Sequence, residues 1–135
     1  MAEILSVGTE LLLGQVVDTN AAYIARRLAE LGVTLYRKTT VGDNLARVSA
    51  AVREALERAD IVIATGGLGP TEDDLTREAV ADALSVRLVE SPEVLAGLAS
   101  FFASRGARMT ENNRRQALRP EPGAGGLIPN PIGTA

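Results

Sequence analysis

The chain has 135 residues, enough for one ordinary domain, with 14 Lys+Arg against 17 Asp+Glu and a formal net charge of −3. That acidic balance, with aromatics at 3%, argues against a nucleic-acid or anionic-membrane binder that works by bulk charge or base stacking. There is no Cys and no His, which removes disulfides, thiol chemistry, Cys/His zinc sites and every Ser-His-Asp or Cys-His mechanism.

The N-terminus, Met1-Ala2-Glu3-Ile4-Leu5, carries no basic leader and runs straight into apolar residues, and no apolar run approaches a membrane span. A cytoplasmic location with no membrane partner is the expectation. Ile4 to Val7 reads as a buried strand that ends at Gly8. After a long first loop, Ala21, Ile24, Ala25 and Leu28 recur at helical spacing, with Asp18 or Thr19 placed to cap the start and Gly32 to end it. Val33 to Val41 reads as a second strand, stopped by Gly42, and Leu45, Val48, Val52, Ala55, Leu56 and Ala59 mark a second amphipathic helix. Ile61-Val62-Ile63-Ala64 predicts a third strand, central and buried because its apolar run is uninterrupted.

Gly66-Gly67-Leu68-Gly69-Pro70 follows, then a third helix with Leu75, Ala79, Val80, Ala83 and Leu84 on one face. Val86 to Val89 is a short strand. Ser91-Pro92-Glu93 opens a fourth helix, with Pro at its first position. A short helix is expected around Asn112 to Leu118. Pro120 to Ala135 holds four of the six prolines, so it reads as loop and edge-strand material, and the single domain is expected to stop short of its own C-terminal end.

The order β-α-β-α-β-α predicts parallel strands, right-handed crossovers and helices on both faces of the sheet. Every strand-to-helix loop then emerges on one carboxyl edge, where ligands bind in such folds. Three loops collect there: Gly8-Thr9-Glu10, Gly42-Asp43-Asn44, and Gly66 to Asp74.

The third loop carries the strongest chemical signal. Glycines after a strand let the backbone approach a ligand and turn N–H groups outward, and the following helix N-terminus adds partial positive charge, which suits a phosphate. No Gly-Lys-Ser/Thr follows, so this is not a Walker loop, and the spacing is not that of the dinucleotide fingerprint. Glu72, Asp73 and Asp74 come next. Carboxylates beside an anion site make sense if a hard divalent cation such as Mg²⁺ or Mn²⁺ sits between them and the phosphate. A structural role is open to each acid: Thr71-x-x-Asp74 has the form of a capping box, and Asp43 and Asp18 are placed to cap helices. Glu10 lies in the long first loop, where function often resides. Arg114 and Arg115 reach phosphate or form a solvated helix face.

Val7-Gly8-Thr9-Glu10-Leu11-Leu12-Leu13-Gly14-Gln15 with Asp18-Thr19-Asn20, then Val41-Gly42-Asp43-Asn44, then Thr65 to Thr76, together resemble the N-terminal domain of the competence/damage-inducible CinA family. Asn113-Arg114-Arg115-Gln116-Ala117 and Asn130-Pro131-Ile132-Gly133-Thr134-Ala135 resemble that family's later segments. This domain is similar to the molybdopterin-binding domains of MogA, MoeA and gephyrin. The resemblance implies a three-layer α/β/α fold with a mostly parallel sheet, of the MogA/MoaB kind. It implies acidic site positions at Asp43 and Asp74, with Asp73 and Asp74 serving a divalent metal (Mg²⁺, Mn²⁺ or Co²⁺). Substrate-binding positions fall on Gly8, Thr9, Glu10, Asp18, Asn20, Gly66, Gly67, Gly69, Thr71, Gly133 and Thr134. The implied activity is hydrolysis of ADP-ribose to AMP and ribose 5-phosphate. The alternative is a non-catalytic module for a pterin or nucleotide. A homo-oligomer, dimer or trimer, is expected from the related domains.

Overall fold

The computed structural model describes residues 1–121. Its elements run β1 (Ala2–Val7), α1 (Thr9–Leu12), α2 (Thr19–Glu30), β2 (Leu35–Val41), α3 (Leu45–Arg58), β3 (Ile61–Thr65), α4 (Thr76–Leu84), β4 (Leu88–Glu90), α5 (Pro92–Ser104), α6 (Glu111–Arg114), a 3-10 turn (Arg115–Ala117) and β5 (Leu118–Pro120). The first three strands form a parallel sheet in the order β2-β1-β3, and β4 pairs antiparallel with β5 in a second sheet.

Alternation along β1 builds both cores. Ala2 and Ile4 face α2 and pack with Ala21 and Leu28, with Leu35 and Ile63 closing that layer. Leu5 and Val7 face the other way, onto Val48 and Val52 of α3 and Ala79 of α4. Helices therefore cover both faces, as expected for the three-layer α/β/α arrangement. Each fully buried Leu, Ile or Val contributes about 1.5–3 kcal/mol relative to exposure. Glu3 shares the α3 face of β1 and is 2% exposed. It is tolerated there because Arg58, at the end of α3, donates Nε and Nη2 hydrogen bonds of 2.9 and 3.1 Å to its two oxygens.

Two expectations need correction. The central strand is β1, all six residues of which are buried, whereas β3 lies at an edge of the sheet among the described residues and its Ile61 is 44% exposed. An uninterrupted apolar run such as Ile61 to Ala64 reports that both faces are covered, and it is silent about the strand's place in the order. The first loop is also not all loop. Thr9–Leu12 makes one helical turn directly after β1. The helix around residues 112 to 118 is split into α6 and the 3-10 turn, and the edge strand expected in the proline-rich end begins at Leu118. Among the described residues no helix is long and apolar enough to cross a membrane.

Candidate functional site

The carboxyl ends of β1 and β3 lie side by side, and the chain leaves β3 through Gly66 and Gly67 at φ of 88° and 62°. A Cβ at Gly66 would stand 2.1 Å from the Val7 carbonyl oxygen, and one at Gly67 would stand 2.3 Å from Thr76 Oγ1. Only glycine fits this approach of loop to β1 and α4.

The loop's carbonyls are tied toward α4. Thr76 Oγ1 donates to the Gly66 carbonyl at 2.7 Å, and the Thr76 N–H donates to the Gly67 carbonyl at 3.1 Å. The Arg77 guanidinium donates to the Leu68 carbonyl, and to that of Gly69 at 3.3 Å. Arg115 Nη1 donates to the Thr71 carbonyl at 2.6 Å. No cis peptide is present among the described residues. In a planar trans peptide the next N–H points opposite to the carbonyl, so the N–H groups of Gly67 and Leu68 face away from α4. The Arg77 guanidinium stands on the carbonyl side of Leu68 and Gly69, and that of Arg115 on the carbonyl side of Thr71 further along the loop. Outward-turned backbone N–H groups of this kind suit an anion.

Asp74 occupies the far end of the same loop. Its Oδ2 accepts from the Thr71 N–H at 2.9 Å and from the Thr71 hydroxyl at 2.7 Å, and it lies so close to Gly69 that a Cβ there would meet Oδ2 at 2.6 Å. Partial burial pushes the Asp74 carboxyl up, but the Thr71 hydroxyl and N–H, the Gly69 backbone and the Arg77 charge outweigh it and hold the group below its ordinary value. Asp74 is therefore an ionised internal anion, held by the donors of Thr71 and the Gly69 backbone. The Thr71-x-x-Asp74 motif does not start a helix: α4 begins at Thr76, with Leu75 at its N-cap and no side-chain cap. It closes a turn instead, the Asp74 N–H donating to the Thr71 carbonyl at 3.1 Å.

Asp73 is exposed beside it. Among the described residues no group of three or more Asp or Glu gathers as a metal cage. Asp73 and Asp74 offer hard oxygen donors of the kind a Mg²⁺-like cation takes, two neighbouring carboxylates rather than a full cage.

Asp43 caps nothing; Asn44 takes that role for α3, accepting from the Arg47 N–H at 3.1 Å. Asp43 instead locks to the first loop. Its Oδ2 accepts from the Thr9 N–H at 2.9 Å, and its own N–H donates to Thr9 Oγ1 at 3.0 Å. Thr9 and Asp43 are thus brought together, while Asp74 partners Thr71 and Gly69. The Glu10 carboxylate folds back over Gly8, where a Cβ would meet Oε1 at 2.5 Å. Asp18 is the N-cap of α2, its Oδ1 accepting from the Ala21 N–H at 2.9 Å.

A cleft of about 190 Å³ opens between these loops. Its lining combines the polar Glu10, Asp18, Thr19 and Asn20 with Thr65 and Gly66 at the end of β3 and the apolar Leu11, Val16 and Val17. The sequence-derived residues Glu10, Asp18, Asn20 and Gly66 therefore converge, although they come from two loops far apart in the chain. Gly133 and Thr134 lie outside the described residues.

One site-building residue, Arg77, escapes the sequence reading, and Arg115 is only half-seen by it, as a phosphate contact or a solvated helix face. Arg77 is 7% exposed, and its signal is a cation placed directly after a glycine loop whose carbonyls need donors. Arg115 reads equally well as a solvated face, yet Nη2 reaches Glu78 Oε1 at 2.8 Å. Its neighbour Arg114 pairs with Glu90 at 2.6 and 2.9 Å.

Known proteins resemble this chain in sequence and fold. Residues 3–135 match the family model described as "Probable molybdopterin binding domain". A crystal structure of the protein CinA from Thermoplasma acidophilum superposes with a TM-score of 0.88 at 36% identity, covering 99% of this chain and 77% of that one. The chain belongs to the CinA-type molybdopterin-binding domain family. A CinA-like protein of Deinococcus radiodurans is 57% identical over 136 residues, covering 100% of this chain and 33% of that protein. The chain spans about one third of the length of the curated relatives it matches. MoaB from Thermus thermophilus, described as a molybdopterin biosynthesis enzyme, superposes with a TM-score of 0.57 at 24% identity, covering 84% of this chain and 70% of that one, which shows the shared fold. The fold expectation of a MogA/MoaB-like three-layer domain therefore stands.

Proposed function

We propose that this domain binds the diphosphate of a nucleotide sugar at the carboxyl edge of its sheet and hydrolyses it, with ADP-ribose as the substrate and AMP and ribose 5-phosphate as products. The observation that carries the reading is the glycine loop. Its carbonyls are tied inward to Thr76, Arg77 and Arg115, and the Gly67 and Leu68 N–H groups are turned away from α4. Preorganised donors of this kind stabilise charge that develops on phosphoryl oxygens without reorganising during the reaction.

In this reading the Gly67 and Leu68 N–H groups hold the diphosphate, and the Arg77 and Arg115 charges behind the loop offset its negative charge. The heterocycle enters the cleft against Leu11, Val16 and Val17, where Glu10, Asp18 and Asn20 offer acceptors for an exocyclic amino group. Asp73 and Asp74 would hold a divalent cation carried on the diphosphate, which when bound neutralises the phosphate charge. The exposed Asp73 carboxylate orients the attacking water. That water's oxygen forms a bond to one phosphorus and gives up a proton to the Asp73 carboxylate and on to solvent, while the bond from that phosphorus to the bridging oxygen breaks and the oxygen departs with the other phosphate. The Asp43–Thr9 lock keeps the first and second loops together at the site's rim.

A second reading has its own support. Asp74 Oδ2 is taken up by the Thr71 N–H and hydroxyl, a structural role that needs no metal, and the solved neighbours include proteins named for molybdopterin biosynthesis. A pterin phosphate held in the same cleft, with no hydrolysis, uses the same donors. Incubation with ADP-ribose and Mg²⁺, Mn²⁺ or Co²⁺ in ¹⁸O-water separates the two. One ¹⁸O in the phosphate of AMP or of ribose 5-phosphate is the expected result. Tight binding of molybdopterin with no label incorporated, under any of the three metals, would replace the hydrolase by the binding module.

A further inference from the structure

We propose that Arg115 is a positioning residue that clamps the Thr71–Asp74 turn onto α4 and so sets the anion affinity of the glycine loop. The inference rests on the diphosphate reading above and extends it to a segment 41 to 44 residues downstream of that turn. One guanidinium spans three acceptors: the Thr71 carbonyl at 2.6 Å, the Asp74 carbonyl at 3.4 Å and Glu78 Oε1 at 2.8 Å. The planar fork of Arg suits such a bridge, and the point charge of Lys does not. Glu78 and Arg115 side chains are 25% and 27% exposed, so the contact is shielded from water.

The clamp is anchored on its own side too. Arg115 opens the 3-10 turn whose last residue, Ala117, is 1% exposed and accepts from the Ser91 N–H at 2.8 Å. Arg114 fastens the same segment to Glu90 of β4. The second sheet thereby grips the loop of the first. With Arg115 in place, the Thr71 and Asp74 carbonyls cannot turn outward, Asp74 stays seated at Gly69, and the loop's N–H groups keep their direction.

The test compares the 135-residue chain with Arg115→Met, Arg115→Lys and, as a control in the same segment, Arg114→Met. Amide hydrogen exchange at Thr71, Asp74 and Thr76 reads the clamp, because these three N–H groups bond within the loop. Isothermal titration with inorganic pyrophosphate and with ADP-ribose reads the anion site. Arg115→Met is expected to speed exchange at those amides about tenfold or more while core amides of β1 change less, and to weaken pyrophosphate binding about tenfold. Arg115→Lys should recover part of both, and Arg114→Met, which removes the anchor at Glu90 but leaves the Arg115 fork, should change both by less than Arg115→Met. Equal acceleration at β1 and at the loop, or pyrophosphate affinity within about twofold of the parent, would reduce Arg115 to ordinary packing. If the parent chain binds neither anion, the diphosphate reading and the affinity claim fall together, and the exchange pattern alone then judges the clamp.

Discussion

Replacing Gly66 with Ala is the sharpest single test of how the loop is built. The new Cβ would stand 2.1 Å from the Val7 carbonyl oxygen, on the buried central strand, so neither partner is a flexible side-chain tip that can swing away. The residue also sits at φ 88°, which an L side chain resists. The left-handed backbone costs about 1–2 kcal/mol and forced overpacking typically about 1–3 kcal/mol, so the sum is roughly 3 kcal/mol. For a domain of this size that corresponds to a melting temperature lower by roughly 10 °C. Gly97 is the internal control. It lies inside α5 with no atom within 4 Å of its would-be Cβ, so Gly97→Ala should stabilise by about 0.5–1 kcal/mol through helix propensity alone. Thermal melts followed by circular dichroism, with pyrophosphate titration of the folded protein, check both. A Gly66→Ala melt within about 2 °C of the parent would show that the loop does not close against β1 as described.

Other predictions follow from single contacts. Asp43→Ala leaves the Thr9 N–H without its acceptor and should cost about 1 kcal/mol in urea unfolding, whereas Asp43→Asn keeps an oxygen and should cost less; equal losses would deny the hydrogen bond. Arg58 hydrogen bonds hold the Glu3 carboxyl below its ordinary value of 4.5, against the upward push of burial. That stabilisation is complete above 4.5 and drains away as pH falls through the lower folded value. Urea midpoints should therefore drop on acidification toward about pH 3 more steeply in the parent than in Glu3→Gln, and parallel pH profiles would remove the pair from the account.

Much of the architecture is legible in the sequence because its signals are local. Leu45 to Arg58 and Thr19 to Glu30 show helical spacing with polar residues in front; the Asp18 cap is made as expected, whereas the cap of α3 falls on Asn44 and not on Asp43. Strand order is not local. Nothing in Ile61 to Ala64 distinguishes an edge from a centre, and β1 takes the central place because its two neighbours pair on either side of it. At the site, the glycine loop is legible because φ and close approach admit only glycine at positions 66 and 67. The partners of its carbonyls are not legible, since Arg115 arrives from a separate segment and Arg77 carries a charge that ordinarily signals a solvent-facing position. Topology alone places Asp43 and Asp74 on the carboxyl edge of the sheet, but their hydrogen bonds to Thr9 and Thr71 depend on how three loops fold against one another.

The most direct test is the rate of AMP release from ADP-ribose by the parent chain and by Asp74→Asn, with divalent metal present and again with EDTA. Asn at position 74 keeps an oxygen for the Thr71 N–H and hydroxyl, so the variant should still fold, with a melt lowered by loss of the charge that Thr71, Gly69 and Arg77 stabilise. The account predicts metal-dependent AMP release by the parent and a loss of about a hundredfold or more in the folded variant. Turnover in Asp74→Asn that matches the parent per folded molecule would contradict it and leave Asp74 as the anchor of a turn.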